Sequence, residues 1–437
     1  MSHATSQTRS RVTRFARPLL LAAMAAMPLG LPALASAEEV WIKAGQLLDV
    51  RSGKLLAEQV IRVEDGVIRS VGREAVPEGA KVIDFSDSTV LPGLIDAHVH
   101  LGADAYSGAY SFVTISVPSQ SITATANALT TLKAGFTTVR SAGENNYVDV
   151  ALRDAINKGE VPGPRILAAG NFLGMTGGHC DTNLLAQEFK HRDGGVADGP
   201  WALRAKVREN AKYGVDVIKF CASGGVMTKG DHPGTQELTF EEMSAMVDEA
   251  HRMGKKILAH AHGADAIKTA IRAGVDSIEH ASLIDAEGIR LAKQSGVALV
   301  MDIYNDEFIR EEGRKAGLLE ETLEKEKLVA EAQRENFRRA HRAGVKLAYG
   351  TDAGVYPHGQ NARQLSWMVK YGMSPAEAIR AATLDAAALL GLESDIGSLE
   401  AGKRADLIAV KGNPLADVAV LEQVDTVVQS GRVTVIN

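Results

Sequence analysis

Eight short apolar runs separated by helix-like stretches recur between Val90 and about Leu392, and this alternation restricts the fold more than any other feature. The runs are Leu94-Ile-Asp-Ala, Thr137-Thr-Val-Arg, Arg165-Ile-Leu-Ala-Ala, Val215-Asp-Val-Ile-Lys-Phe, Lys256-Ile-Leu-Ala-His, Ser277-Ile-Glu-His, Ala298-Leu-Val-Met and Lys346-Leu-Ala-Tyr-Gly. Strands of a parallel sheet are covered on both faces, so they read as short continuous apolar segments. Between them, 239–253, 265–273 and 285–294 read as helices. Thr239-Phe-Glu-Glu supplies a capping hydroxyl and first-turn acids, and Gly135, Gly254, Gly274 and Gly344 stand where left-handed helix terminators belong. Eight strands with intervening helices over roughly 300 residues predict an α/β fold, a (β/α)8 TIM barrel spanning residues 91–392. An open doubly wound sheet competes, but no glycine-rich phosphate turn follows the first strand.

The flanks have a different grammar. Residues 38–90 hold short β-rich runs broken by glycines, with Asp65-Gly66 as a hairpin signal. Residues 393–437 return to β character in Ala405-Asp-Leu-Ile-Ala-Val and Val424-Asp-Thr-Val-Val-Gln. The two ends are expected to pack as one composite β-sandwich domain.

Residues 1–37 read as a secretory signal peptide. Arg9, Arg11, Arg14 and Arg17 precede an apolar run that closes on Ala35-Ser36-Ala37. Pro28 and Gly30 argue against a permanent membrane helix, and the expected location is periplasmic or extracellular, with no stable membrane anchoring after cleavage. Loss of four arginines and no acid takes the net charge from −6 to about −10, which gives no electrostatic reason to bind nucleic acid. Cys180 and Cys221 are the two cysteines. Both lie in site-like segments, and they are read as unpaired.

The chemistry gathers at strand ends, where barrel enzymes carry their active sites. His98 and His100 end the first strand and, two residues apart, project on one face. His260 and His262 end the fifth strand, His280 the sixth, and Asp352 follows the eighth in Gly350-Thr-Asp. Imidazoles and a carboxylate converging on one mouth are a metal-ligand set. Lys219 ends an otherwise apolar fourth strand. Either it snorkels to solvent, or it is carboxylated by CO2 and bridges two ions as an anion. His260 and His262 share a strand face, so either can be the fifth-strand ligand. His179, Tyr304 and His358 are candidate substrate contacts, and Lys229 and His232 lie on an expected mobile loop over 227–236. The charge-dense stretch 311–339 is expected to be a solvated helix.

Val90-Leu-Pro-Gly-Leu-Ile-Asp-Ala-His-Val-His100, Gly350-Thr-Asp352 and Gly397-Ser-Leu-Glu-Ala-Gly-Lys-Arg-Ala-Asp-Leu-Ile408 resemble the amidohydrolase superfamily over nearly all of the chain beyond the leader. Ile218-Lys-Phe-Cys-Ala-Ser-Gly-Gly-Val226, His260-Ala-His-Gly263, Gly177-Gly-His179 and Ser277-Ile-Glu-His280 resemble its imidazolonepropionase-like dipeptidase branch. That branch includes Xaa-Pro and Xaa-Arg dipeptidases and bacterial ochratoxin-hydrolysing amidohydrolases.

The resemblance implies a small-molecule amide substrate, a dipeptide or an N-acyl amino acid such as ochratoxin A. It implies two divalent ions, Zn2+ by ligand type, with His98 and His100 on the inner ion and His260 and His280 on the outer. Carboxylated Lys219 would lie between them, with Asp352 on the inner ion. A water between two cations loses its proton readily. Asp352 is expected to take that proton and return it to the leaving amine, while His262 assists at the carbonyl. Homo-oligomers up to octamers are also implied. The alternatives are a cyclic-amide hydrolase or deaminase of the same superfamily, against which Lys219 argues, and a non-enzymatic binding protein, against which the complete ligand set argues.

Overall fold

Asp65 and Gly66 take φ of 51° and 78°, the double left-handed geometry of a tight hairpin turn, and join β2 (Lys54–Glu64) to β3 (Val67–Gly72). β2 also pairs antiparallel with β1 (Glu39–Asp49), and β1 runs parallel to β4 (Val82–Pro92). This computed structural model describes residues 38–437, so the expected leader over 1–37 lies outside it.

All eight expected strands follow in order: β5 (Leu94–Val99), β6 (Phe136–Ser141), β7 (Arg165–Leu167), β8 (Val217–Cys221), β9 (Lys256–Ala261), β10 (Ser277–His280), β11 (Ala298–Val300) and β12 (Leu347–Ala348). Every pairing among them is parallel. They form two sheets, β5-β6-β7 and β12-β11-β10-β9-β8, rather than one unbroken ladder. At one seam Leu173 bridges Phe220 of β8, and at the other Val99 of β5 bridges Ala353. The second seam is reinforced by Asp96, whose buried carboxylate accepts the Thr351 hydroxyl (2.6 Å) and the Asn361 amide (2.9 Å).

The helices between these strands have the expected signals. Thr239 caps Phe240–Arg252 in a reciprocal capping box with Glu242, and Asp285 caps Ala286–Ser295. Gly135, Gly254, Gly274 and Gly344 all have positive φ just before a strand. After the last helix come β13 (Leu407–Val410), β14 (Thr426–Gln429) and β15 (Arg432–Ile436). These join the N-terminal strands in one seven-stranded sheet, ordered β15-β14-β13-β4-β1-β2-β3. The two ends of the chain are thus one β unit. Its outer strand curls back, because Val67 of β3 bridges Arg404 just before β13. Val40, Ile42, Ile61, Val63, Ile68, Leu407 and Val428 pack in its apolar interior.

Two expectations are corrected. The charge-rich stretch forms the helix Glu320–Ala343, but it is not solvated all round: Leu323, Lys325, Glu326, Val329, Gln333, Arg334, Phe337 and Ala340 are buried. The buried cations are paired, Lys325 with Asp231 and Arg334 with Asp306 and Glu307, while burial raises the Glu326 carboxyl to about 8. The cysteines are not unpaired either: Cys180 and Cys221 form a disulfide with Cα atoms 5.8 Å apart. Sequence separation hid a contact that the turn after β7 brings about. Among the described residues no helix is long and apolar enough to cross a membrane.

Candidate active site

His98 lies 2% exposed at the end of β5, and its surroundings show how the fold aims an imidazole. Its Nδ1 donates to Glu279 Oε2 of β10 at 2.7 Å, and that carboxylate also accepts Arg140 Nη2 of β6 at 2.9 Å. Burial pushes the Glu279 carboxyl up, but the Arg140 charge and the His98 hydrogen bond outweigh it and hold it at about 2. With Nδ1 committed, His98 Nε2 is buried without a hydrogen-bond partner. An orphaned ring nitrogen of this kind is what a metal ligand looks like before its ion is considered.

The same device recurs around the mouth. His100 Nδ1 donates to the Gly143 carbonyl (3.0 Å), His280 Nδ1 donates to Asp302 Oδ1 (2.8 Å), and His262 Nδ1 pairs with the Ser282 hydroxyl (2.7 Å). Each arrangement leaves Nε2 for the site. Asp352 Oδ1 lies 3.2 Å from His100 Nε2 and 3.4 Å from His98 Nε2. Burial raises the Asp352 carboxyl, but the adjacent His100 and His98 imidazoles outweigh it and hold it well below the usual carboxylate range. Asp352 and His280 both have positive φ (58° and 69°), strained backbone for non-glycine residues and a frequent mark of functional positions.

Two ligand-sized groups result. His98, His100 and Asp352 bring donor atoms within 4.8 Å of one another, and so do His260, His262 and His280. His280, Asp302 and Asp352 link the two. Burial, then the charges of neighbouring imidazoles, holds His260, His262 and His280 well below the ordinary histidine range, so these rings are neutral and can donate lone pairs. Lys219 is 3% exposed on β8, and burial lowers its ammonium to about 8 against the raising effect of Glu279 and Asp352. The choice between His260 and His262 stays open geometrically. His262 has the anchored Nδ1, whereas His260 places Nε2 3.3 Å from the Gly224 carbonyl.

The candidate substrate residues divide. The His179 ring stacks on His260 with centroids 4.1 Å apart, so it belongs to the cluster. The Tyr304 hydroxyl donates to Gln360 (3.3 Å) and accepts from Arg363 (2.9 Å). His358 is a correction. Its Nε2 donates to the His100 carbonyl (3.1 Å) and its Nδ1 accepts from the Thr131 hydroxyl (2.9 Å), so both nitrogens are spent and it props the His100 turn. Burial lowers its imidazole to about 4. The 227–236 segment is tied down through Thr228, Gly230 and Asp231.

Sequence reasoning missed the supports: Glu279, Arg140, Asp302 and Ser282. A carboxylate inside Ser277-Ile-Glu-His280 was a visible signal, because an acid in a buried strand needs a partner. Its partner Arg140 is 139 residues away in sequence.

A family model described as "Amidohydrolase family" matches residues 89–434. The chain is 33% identical over 426 residues to the ochratoxinase of Aspergillus niger, covering 91% of this chain and 86% of that protein. It is similar to the crystal structure of a Xaa-Pro dipeptidase with bound methionine in the active site (TM-score 0.86, 40% identity, 90% of this chain and 99% of that one). It is also similar to the crystal structure of A. niger ochratoxinase (TM-score 0.81, 31% identity, 91% of this chain and 96% of that one).

Proposed function

The chain belongs to the amidohydrolase family and is a hydrolase of carbon–nitrogen bonds, and on that premise we propose that it cleaves the amide bond of a dipeptide or N-acyl amino acid at a two-metal site. The observation that carries this reading is the orphaned Nε2 of His98, set among anchored neutral imidazoles, a buried lysine and Asp352. That donor set fits zinc, which takes nitrogen and oxygen ligands. In this reading His98, His100 and Asp352 would hold one ion, His260 and His280 would hold the other, and carboxylated Lys219 would add an anionic ligand. Two bound divalent ions would supply Lewis acidity to a water and to the substrate carbonyl.

The chain's own residues do the rest. An amine at about 8 keeps a reactive neutral fraction near pH 7. The Lys219 ammonium first gives one proton to solvent, the freed nitrogen lone pair adds to the carbon of CO2, and a second proton leaves the nitrogen to solvent, so that a cation becomes an anion. Asp352, held deprotonated, takes a proton of the attacking water at its free oxygen and delivers it to the amine nitrogen as the carbon–nitrogen bond breaks. His262, held through Nδ1 by Ser282, directs Nε2 toward the carbonyl oxygen. His179 and Tyr304 face the rest of the substrate. His358 stays behind His100.

The surrounding reading follows the same premise. The two parallel sheets are taken as one (β/α)8 barrel over residues 91–392, with 38–90 and 393–437 as a composite β-sandwich. Residues 1–37 are an export signal to the periplasm or beyond, which the Cys180–Cys221 disulfide supports, since such bonds persist in oxidising compartments. Self-association as a homo-oligomer and the absence of nucleic-acid and stable membrane partners belong to this reading too.

The test is a panel of dipeptides, N-acyl amino acids and ochratoxin A offered to the zinc-loaded protein, with release of the free amino acid as readout. Hydrolysis of at least one of them is expected. Turnover of cyclic amides or amino-purines alone, with every linear amide untouched, would refute it.

A further inference from the structure

The helix Glu320–Ala343 contributes none of the residues assigned above, yet one of its charges reaches the rim of the site. Lys325 is 6% exposed, and its Nζ donates to the Thr228 carbonyl (2.6 Å), to Asp231 Oδ1 (2.5 Å) and to Glu321 (3.1 Å). Glu321 accepts the Gly230 N–H at 2.7 Å, so two successive helical turns grip the same loop. Both of the loop residues that Lys325 holds also meet His179. The Thr228 hydroxyl is hydrogen-bonded to His179 Nδ1, and Asp231 Oδ2 lies 3.6 Å from the same nitrogen. Asp231 therefore presents one oxygen to the lysine and the other to the imidazole, with the Gly225 N–H (2.7 Å) fixing the carboxylate.

The rest of His179 is already immobile. Its N–H donates to Glu237 (2.9 Å), and the next residue, Cys180, is bonded to Cys221 of β8. What remains to be set is the ring's rotation, and the ring lies between Gly225, where a Cβ would approach it to 2.1 Å, and His260. A buried lysine is costly, and an apolar side chain of similar length would pack there without that cost.

We propose that Lys325 is a positioning residue for the substrate-facing imidazole of His179, acting through Asp231 and Thr228. The consequence for substrate binding rests on the reading of His179 given above; the geometric claim does not. A group set through other side chains governs the placement of substrate more than the bond-breaking step, and small misplacements are expensive.

The experiment uses the full metal-loaded chain. Lys325→Met should raise KM about 10-fold with kcat changed less than about 3-fold, and Lys325→Arg should recover most of the difference. In a His179→Ala background Lys325→Met should add nothing further. A Lys325→Met variant with wild-type KM, or a further loss on top of His179→Ala, overturns the proposal. The ring signals of His179 in a histidine-labelled nuclear magnetic resonance spectrum provide a readout that needs no substrate. They should move in Lys325→Met and also in Asp231→Asn, which serves if the lysine variant fails to fold; unmoved signals overturn the proposal. If the wild type hydrolyses no amide while these signals still move, the functional reading fails and the positioning claim stands.

Discussion

The strand ends and the loops above them hold imidazoles in different ways. At the strand ends, His98 and His280 are aimed by buried carboxylates, Glu279 of β10 in the other parallel sheet and Asp302 just beyond β11, and His100 by a backbone carbonyl. On the rim, the segment carrying His179 is tied to β8 by a disulfide, and its ring meets a loop that a helix-borne lysine holds. Supports on or just beyond the buried strands have little freedom. Loop-borne supports can be retuned without touching the sheets. On the proposed function, the difference would separate the chemistry, which one geometry must serve, from recognition, which can vary with the substrate.

The largest effect should follow from removing the buried lysine of β8. Lys219→Ala is expected to cost at least about 1000-fold in turnover and to recover part of it in short carboxylic acids, which replace the missing anion. Unchanged turnover without added acid would show that Lys219 only fills space. Next, the strand-end supports should matter differently from the rim. Glu279→Gln should weaken metal affinity or activity about 10- to 100-fold, whereas His179→Ala should act mainly through KM. Equal effects of both variants on metal content would break the comparison.

The disulfide belongs to the rim and should behave that way. Its 41-residue separation gives an expected loss of about 2–4 kcal/mol on replacing both cysteines by alanine, read by denaturant unfolding, with metal content retained. Loss of metal from that variant would place the bond among the strand-end supports instead. The smallest effect concerns Glu326, buried on the helix behind the rim and raised by burial to about 8. Between about 4.5 and 8 the folded chain keeps this proton and the unfolded chain does not, so its contribution to stability falls as pH rises through that window. Relative to wild type, Glu326→Gln should gain roughly 2–4 °C in Tm as pH goes from 5 to 8. A difference independent of pH would contradict the sign.

Much of this was legible from the sequence because parallel strands advertise themselves and their ends are marked. His98, His100, His260, His262, His280 and Asp352 each sit at the close of an apolar run, and all six meet at one mouth in the structure. The supports were not legible, because Arg140–Glu279 and His280–Asp302 join different elements and no local pattern encodes that pairing. Cys180–Cys221 and Lys325–Asp231 failed for the same reason, separated by 41 and 94 residues. His358 misled because its position just after Asp352 pointed to the mouth, while its two hydrogen bonds turn it toward the back of His100.

On the proposed function, the six strand-end residues and Lys219 form a two-metal hydrolytic site. Its most direct test is metal content per chain measured alongside amide hydrolysis during titration with a chelator. Close to two divalent ions per chain are expected, with activity falling as they are withdrawn and returning with zinc. Full hydrolysis by protein stripped of metal would contradict the account.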